Sequence, residues 1–281
     1  MKTMLMVLTA FALLVNLGAA PVAIAQNWPT KPVKLIVVFP PGGSVDQVAR
    51  ILAQQLTEQT GQPVIVDNRG GASGSIGTAA LAKAEPDGYT LGVVFDTHVV
   101  NPSLIAGLPF DTLRDLTPVM LVGTGAMALV TPVSQPYKSF RDVVAAAKAK
   151  PGSLSYGTIG AGSLGHLTMT QLGNLLGVEF NHIPYRGGGP LMNDAIGNQV
   201  PLAIGSVFLV NPHIASGRLR AIAVTSAKPD RCRPVTVFEA DVGAELPEAP
   251  PFTAGGGILA DHACGPHTPV SLEFRTAGEA P

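Results

Sequence analysis

The residues of this chain that could do chemistry lie in glycine-rich turns, each between a strand-like apolar run and a segment of helical periodicity. The first turn, in residues 39–50, reads FPPGGSVDQVAR. Gly42 and Gly43 can expose backbone N–H groups without obstruction by side chains. Ser44 and Gln47 have the spacing of a capping box, which predicts Ser44 as the helix N-cap. Such a helix start can seat an anion on its free amides, although a capped helix with no ligand explains the same residues.

The anion that this turn favours is small. A phosphate loop of the G-x-x-x-x-G-K-[ST] type places a lysine on the phosphates, but this turn carries Asp46 and no lysine. The helix dipole favours a negative charge in the first helical turn, yet the same charge repels a polyanion unless it points away. Neutral donors therefore favour a small carboxylate over a nucleotide.

Four further turns follow the same plan, and they lie in residues 67–77 (DNRGGASGSIG), 95–103 (FDTHVVNPS), 155–168 (SYGTIGAGSLGHLT) and 182–190 (HIPYRGGGP). Each comes after a predicted strand, and their serines and backbone amides are neutral donors. Arg186, in the last of them, either clamps a carboxylate or reaches solvent. Ligands on α/β sheets bind beyond the carboxyl ends of the strands, so these turns are where we expect one.

Nucleotide binding and nucleophilic catalysis are both poorly supported. Residues 160–165 match G-x-G-x-x-G, but Glu179 falls near the start of the next predicted strand, whereas a ribose-binding acid comes at its end. Residues 161–165 read AGSLG, which lacks the first glycine of a nucleophile elbow. A lone histidine such as His98 is more often a satisfied surface residue than a catalyst. The histidine and cysteine spacings match no metal-binding motif, so we expect neither a metal nor a cofactor.

The elements that must position these turns alternate between strand and helix, which predicts parallel sheets covered by helices. No tandem repeat is visible. A second unit starts near residue 120, so we expect one α/β lobe in residues 26–122 and another in 123–225. Strands are predicted at 33–39, 64–66, 89–95, 154–159, 178–183, 201–204 and 220–225, and helices at 45–59, 75–84, 139–150, 164–176 and 190–196.

Composition and the N-terminal residues limit the function classes and indicate where the protein is located. The 281 residues are 46% hydrophobic and carry a formal net charge of −1, without the basic clusters that nucleic-acid binding needs. Lys2, an apolar run and an Ala-x-Ala site before Gln26 predict a secretory signal peptide in residues 1–25, although an uncleaved anchor has a similar pattern. We therefore expect a soluble protein of the periplasm. Cys232 and Cys264 could pair in an exported chain, and the spacing does not decide this.

The motifs resemble those of the exported solute receptors of tripartite tricarboxylate transporters, often called the Bug family. The resemblance runs from about residue 28 to 229 through VVFPPGGSVDQVAR, VIVDNRGGASGSIGTAALAKAEPDGYTLGV, SYGTIGAGSLGHLTM, HIPYRGGGPLMNDAIGNQVPLAI and PHIASGRLRAIAVTSAKP. It implies an α/β, two-lobed, periplasmic-binding-protein-like (type II) Venus flytrap. It also implies capture of a small carboxylate, with water helping to hold it, and delivery to a membrane permease. The ligand contacts that it implies are Pro41, Gly42, Gly43, Ser44, Asp46, Ser73, Gly74, Asp96, Thr97, His98, Gly162, Ser163, His166, Tyr185, Arg186 and Gly187.

The chain departs from the family pattern in two places. Leu191 stands where members often have alanine, which could reshape the cleft mouth. Residues 226–281 have little helical periodicity and many Pro and Gly. We interpret this tail as a shifted reading frame or a degraded gene end, and expect the C-terminal part of the first lobe to be incomplete and the tail poorly ordered. Such a chain could be a receptor by descent that no longer folds or functions.

Three functions remain open at this point. The first is a receptor that binds its ligand without transforming it. The second is an exported enzyme acting on a small acid, with Asp96, His98 or His166 as acid or base. The third is a sensor that presents a ligand to a membrane kinase. The sequence favours the receptor.

Overall fold

The computed structural model describes residues 28–225 of the chain. The predicted signal peptide, the divergent tail and both cysteines lie outside these residues. Two sheets make up the described part, and residues from the lobes of both sheets share one hydrophobic core. This agrees with the predicted two-lobed α/β fold, while the boundary at residues 122 and 123 stays a prediction.

The first sheet has three parallel strands in the order β2-β1-β3. Its central strand, β1, is almost wholly buried because the continuous apolar run VKLIV suits a strand covered on both faces. Strands and helices of this lobe are β1 (Val33–Val37), α1 (Ser44–Thr60), β2 (Val64–Asn68), α2 (Ser75–Ala82), β3 (Thr90–Val93) and α3 (Thr97–Leu104).

The second sheet has five strands in the order β6-β5-β7-β4-β8. Its elements are β4 (Met127–Pro132), α4 (Phe140–Ala149), β5 (Ser155–Thr158), α5 (Leu164–Leu176), β6 (Asn181–Pro184), α6 (Gly188–Ile196), β7 (Leu202–Ser206), α7 (Val207–Ala215) and β8 (Leu219–Val224). Strand β5 pairs in parallel with β6 and β7, as predicted, but β4 runs antiparallel to both β7 and β8, so the prediction of a parallel sheet is wrong for the pairings of β4. A strand buried along its whole length, as β4 is, has the same apolar pattern in either direction.

Two helices, α3 and α7, did not appear in the sequence prediction. Both contain an internal proline, Pro102 in α3 and Pro212 in α7, and proline normally breaks a helix. Strand β6 also begins at Asn181 rather than at Val178. The reason is that Gly177 ends α5 in the left-handed conformation and the chain needs three further residues to reach the sheet.

One of the two hydrophobic cores joins the lobes. It contains Val37 and Phe39 of the first lobe together with Leu191 and Leu209 of the second, all less than 5% exposed. Burying a side chain of this size stabilises a protein by about 1.5–3 kcal/mol, so this contact holds the turns of both lobes close together. Within residues 28–225, no helix has the length and apolar character to cross a membrane.

Candidate functional site

The turn after β1 packs against the N-terminus of α6 in the opposite lobe. A Cβ atom on Gly43 would lie 3.4 Å from the backbone nitrogen of Gly188, and one on Gly189 would overlap the carbonyl oxygen of Pro41. A Cβ on Gly187 would lie 2.7 Å from the ring of Pro40. These glycines therefore let two main chains touch across the cleft, which brings the first and fifth predicted turns together.

The second and fourth turns also meet. Ser73 donates a hydrogen bond of 2.8 Å from its hydroxyl to the carbonyl oxygen of Ala161. Ala72 and Ser73 have φ angles of 46° and 51°, a left-handed conformation that costs free energy for residues other than glycine. Such conformations cluster at ligand-binding turns, and here they aim the Ser73 hydroxyl at the other lobe. Gly74, which follows, is buried against Val38.

The third turn is the start of helix α3. Asp96 is its N-cap, and one carboxylate oxygen accepts a hydrogen bond of 2.8 Å from the amide of Thr97. The other oxygen accepts one of 2.6 Å from the amide of Leu164, at the N-terminus of α5 in the second lobe. Burial raises the pKa of Asp96 above its usual value, against the effect of these two hydrogen bonds.

Asp46 is buried and makes structural contacts. Its carboxylate accepts hydrogen bonds from the amide of Gly42, the guanidinium of Arg50 and the amide side chain of Asn68, at 2.9–3.1 Å. Burial raises the pKa of Asp46, but the bonds from Arg50, Gly42 and Asn68 outweigh it and lower the pKa overall. The residue thus holds the shape of the first turn, and its contact with a ligand stays a prediction.

The predicted capping box at this turn is wrong. Gly43, not Ser44, is the N-cap of α1, and no side chain caps that position. The Asp46 carboxylate binds the Gly42 amide in its place, and Gln47 reaches back to the Gly42 carbonyl at 3.4 Å. The helix begins one residue earlier than predicted because the carboxylate in its own first turn satisfies the preceding loop.

The start of α5 is held by a serine and two stacked histidines. Ser163 is fully buried, donates to the carbonyl of Gly160 and caps the helix by accepting from the amide of His166. The Nδ1 atom of His166 accepts a hydrogen bond of 3.1 Å from the amide of Gly162. Its ring stacks on His182 with centroids 3.9 Å apart. Burial lowers the pKa of both, and for His182 burial and the neighbouring His166 lower it to about 4.

The remaining predicted residues are close to these turns but differ in exposure. Tyr185 is half-buried and donates its hydroxyl to Asp194, and burial together with that carboxylate raises its pKa to about 12. Arg186 is exposed, whereas Thr97 is buried at the start of α3. His98 is half-buried, and burial lowers its pKa.

Several residues of the site had no signal in the sequence. The carbonyl of Ala161 and the amide of Leu164 are main-chain groups, which carry no side-chain signature. Asn101 is 3% exposed, and its side-chain amide donates to the carbonyl of Ser73 while its Oδ1 atom has no protein partner. Asn101 lies within α3, and its position at the cleft could be predicted only if α3 had been recognised as a helix.

The arrangement can bind a small polar molecule with main-chain groups from both lobes. Asp46, Asp96, His166 and His182 have protein partners at these turns, and none of them is paired with an exposed nucleophile. Among residues 28–225, no group of three or more His, Cys, Asp or Glu side chains is arranged to hold a metal ion.

The chain is similar in sequence to a known family of receptors. Residues 48–251 match the family described as "Tripartite tricarboxylate transporter family receptor". The chain is 41% identical over 228 residues to protein BugT of Bordetella pertussis (strain Tohama I), covering 80% of this chain and 69% of BugT.

Two solved structures are also similar. The first, "R. palustris Rpa4515 with adipate", has a TM-score of 0.73 and 33% identity, covering 79% of this chain and 74% of that one. The second, "MatC (Rpa3494) from Rhodopseudomonas palustris with bound malate", has a TM-score of 0.65 and 26% identity, covering 72% and 69%. The family consists of solute-binding receptors rather than enzymes, as the sequence predicted. With its two lobes, its turns meeting at one cleft and this match over most of its length, the chain belongs to the tripartite tricarboxylate transporter receptor family.

Proposed function

We propose that this receptor captures a small organic carboxylate between its lobes in the periplasm and delivers it to a membrane permease made of other chains. The observation that carries the proposal is the meeting of turns from both lobes, at which the Leu164 amide binds a carboxylate oxygen, that of Asp96. A seat that holds an aspartate side chain has the geometry for the carboxylate of a free acid. The similar structures with adipate and malate support this ligand class.

The alternative of an enzyme finds no support at the candidate acid–base residues. The ring nitrogen Nδ1 of His166 is bound to the Gly162 amide, and its face is covered by His182. Both oxygens of Asp96 accept main-chain hydrogen bonds. These contacts give both groups structural partners, and among the described residues none of the candidates, His98 included, is paired with a nucleophile.

Calorimetric titration of the purified protein tests the ligand class. Adipate and malate serve as probes, with their dimethyl esters as neutral controls, and the bound acid is recovered and analysed by mass spectrometry. We expect saturable one-to-one binding of at least one acid, no binding of its ester and recovery of the acid unchanged. Binding of the esters as tight as that of the acids, or conversion of the acid, would contradict the proposal.

A matched pair of serine variants locates the site. Ser73→Ala removes the hydroxyl that bridges the lobes, so we expect a weaker affinity for the bound acid. Ser134→Ala is the control, because Ser134 follows the carboxyl end of antiparallel β4, at the edge of the second sheet opposite the cleft. Equal affinities of the two variants would remove Ser73 from the site.

Delivery to a permease is tested separately in cells. We expect uptake of the labelled acid to require this chain and to be lost with Ser73→Ala in proportion to the loss of affinity. Uptake that is unchanged when the chain is deleted would leave binding intact as a property of the protein and overturn its transport role.

A further inference from the structure

Asp96 places a negative charge inside a cleft that is proposed to receive an anion. Its carboxylate belongs to the first lobe, and its Oδ2 atom lies 2.6 Å from the Leu164 amide of the second lobe. Of the other acids near the turns, Asp46 is paired with Arg50 and Asp67 with Arg69, while Asp194 accepts from the Tyr185 hydroxyl. Asp96 has no ion-pair partner within residues 28–225.

Helix α5 begins at Leu164, and the amide of Leu164 donates across the cleft to Asp96. The amides of Gly162, Ser163 and His166 have partners inside the second lobe, namely His166 Nδ1, the Gly160 carbonyl and the Ser163 hydroxyl. The first amides of a helix have no partner within the helix, and the helix dipole favours a negative group there. The group that Leu164 binds is a carboxylate, the same functional group that the proposed ligand would present.

The contact between Asp96 and Leu164 also joins the two lobes directly. Together with the hydrogen bond from Ser73 to Ala161, it joins the two lobes through polar groups. A ligand carboxylate and Asp96 cannot both accept from the Leu164 amide in the same geometry, since one N–H donates one good hydrogen bond. Both are anions, so they also repel each other in a partly buried cleft.

We propose that Asp96 is an internal carboxylate that occupies the Leu164 amide in the ligand-free receptor, and that a ligand carboxylate binds there by displacing it. This inference rests on the proposed function. It makes Asp96 the residue that sets which acids bind, because the ligand must hold the amide better than Asp96 does. It also makes Asp96 a contact that holds the empty lobes together.

Two variants and one control separate the charge of Asp96 from its hydrogen bond. Asp96→Ala removes both, whereas Asp96→Asn keeps an oxygen acceptor of the same shape without the charge. Glu85→Gln removes a charge from the segment that enters β3, at the opposite edge of the sheet from Asp96, which follows β3. Circular dichroism checks that each full-length variant is folded.

The first readout needs no ligand. Small-angle X-ray scattering of the ligand-free protein reports lobe separation through the radius of gyration. We expect a larger radius for Asp96→Ala, and wild-type values for Asp96→Asn and Glu85→Gln. A radius unchanged in Asp96→Ala would overturn the closing role, whether or not any acid binds, so this outcome is separate from failure of the proposed function.

The second readout is calorimetric affinity for adipate and malate. We expect Asp96→Ala to bind the acids that wild type binds about tenfold more tightly, since a charged hydrogen bond and a repulsion are removed. Asp96→Asn should fall between the two, and Glu85→Gln should match wild type. Affinity that is weaker in Asp96→Ala would show that Asp96 supports the ligand directly and would overturn displacement.

Discussion

Asp46 is the residue on which the first cleft turn depends. It is 3% exposed and its carboxylate joins Gly42, Arg50 and Asn68. Asn68 also donates to the carbonyl of Phe39, the last residue before the two prolines. Asp46 therefore connects the turn after β1 to the end of β2. This one buried side chain fixes the position of the main chain in the first turn.

We expect Asp46→Ala to destabilise the protein by about 3 kcal/mol, because it removes a buried carboxylate whose charged hydrogen bonds to Gly42, Arg50 and Asn68 are each worth about 1.5–3 kcal/mol at most. Urea unfolding followed by circular dichroism measures the free energy of unfolding. Asp67→Ala is the matched control, since Asp67 pairs with Arg69 on a more exposed surface, where ion pairs are worth little. Equal losses in the two variants would mean that the Asp46 network does not stabilise the turn.

The stacked histidines give stability a pH dependence. Burial lowers the pKa of His166, and burial with the charge of His166 lowers that of His182 to about 4. The folded state therefore binds fewer protons than the unfolded state, whose histidines titrate near 6.5. Stability is fully present above that pH and is lost as pH falls from about 6.5 towards 4.

Thermal unfolding at pH 7.5, 6.0 and 5.0 measures this dependence. We expect the midpoint to fall with acid in wild type and to fall less in His182→Gln, which cannot be protonated and leaves one histidine of the stack. His213→Gln on helix α7 is the comparison: burial and Arg218 also lower the pKa of His213, so this variant shows how much of the acid dependence comes from a histidine outside the stack. Parallel pH profiles for wild type and His182→Gln would exclude the stack as the cause.

At the scale of elements, the start of α6 packs its main chain against the main chain of the first turn in the other lobe. Gly189 lies in that helix and would overlap the Pro41 carbonyl if it had a Cβ atom. Alanine is the better helix former by about 1 kcal/mol, so the substitution does not weaken the helix itself. A methyl group at position 189 would instead hinder closure of the cleft, because it overlaps the Pro41 carbonyl of the other lobe.

Gly189→Ala should therefore keep the protein folded while it weakens binding of adipate or malate about tenfold or more and enlarges the radius of gyration. Gly125→Ala serves as the control, because a Cβ atom there meets nothing within 4 Å. Calorimetry and X-ray scattering measure the two effects. Unchanged affinity in Gly189→Ala would show that full closure at this point is not needed for binding.

The whole molecule is held together by the core that crosses between the lobes. Leu209 is 1% exposed and belongs to that core, and it lies next to both Gly188 and Gly205. Because residues of both lobes share one buried cluster, we expect the lobes to unfold together. A contact made only of polar groups would let them unfold separately.

Leu209→Ala tests this coupling. We expect a loss of about 2–5 kcal/mol, as for other buried leucines, with one calorimetric transition in wild type that splits or broadens in the variant. Phe208→Ala is the control, since Phe208 is its neighbour on the same helix and is 48% exposed. Two separate transitions in the wild type would contradict a shared core.

The sequence by itself determined which segments become buried strands and where the turns follow them. The apolar run of β1, the helix from Leu164 to Leu176 and the order of the glycine-rich turns are all local patterns. The family motifs extended these patterns to the two-lobed fold and the receptor class, both confirmed by the structure and the comparisons. Periodicity does not report strand direction, so the reversal of β4 was missed.

Only the tertiary structure decided which groups meet. The pairing of Ser73 with Ala161 spans 88 residues and that of Asp96 with Leu164 spans 68, and both use main-chain groups that every sequence contains. Asp46 looked like a ligand contact from its position, yet the fold brings Arg50 and Asn68 to it. A side chain's type limits what it can bind, but its role depends on the neighbours that folding brings within hydrogen-bond distance.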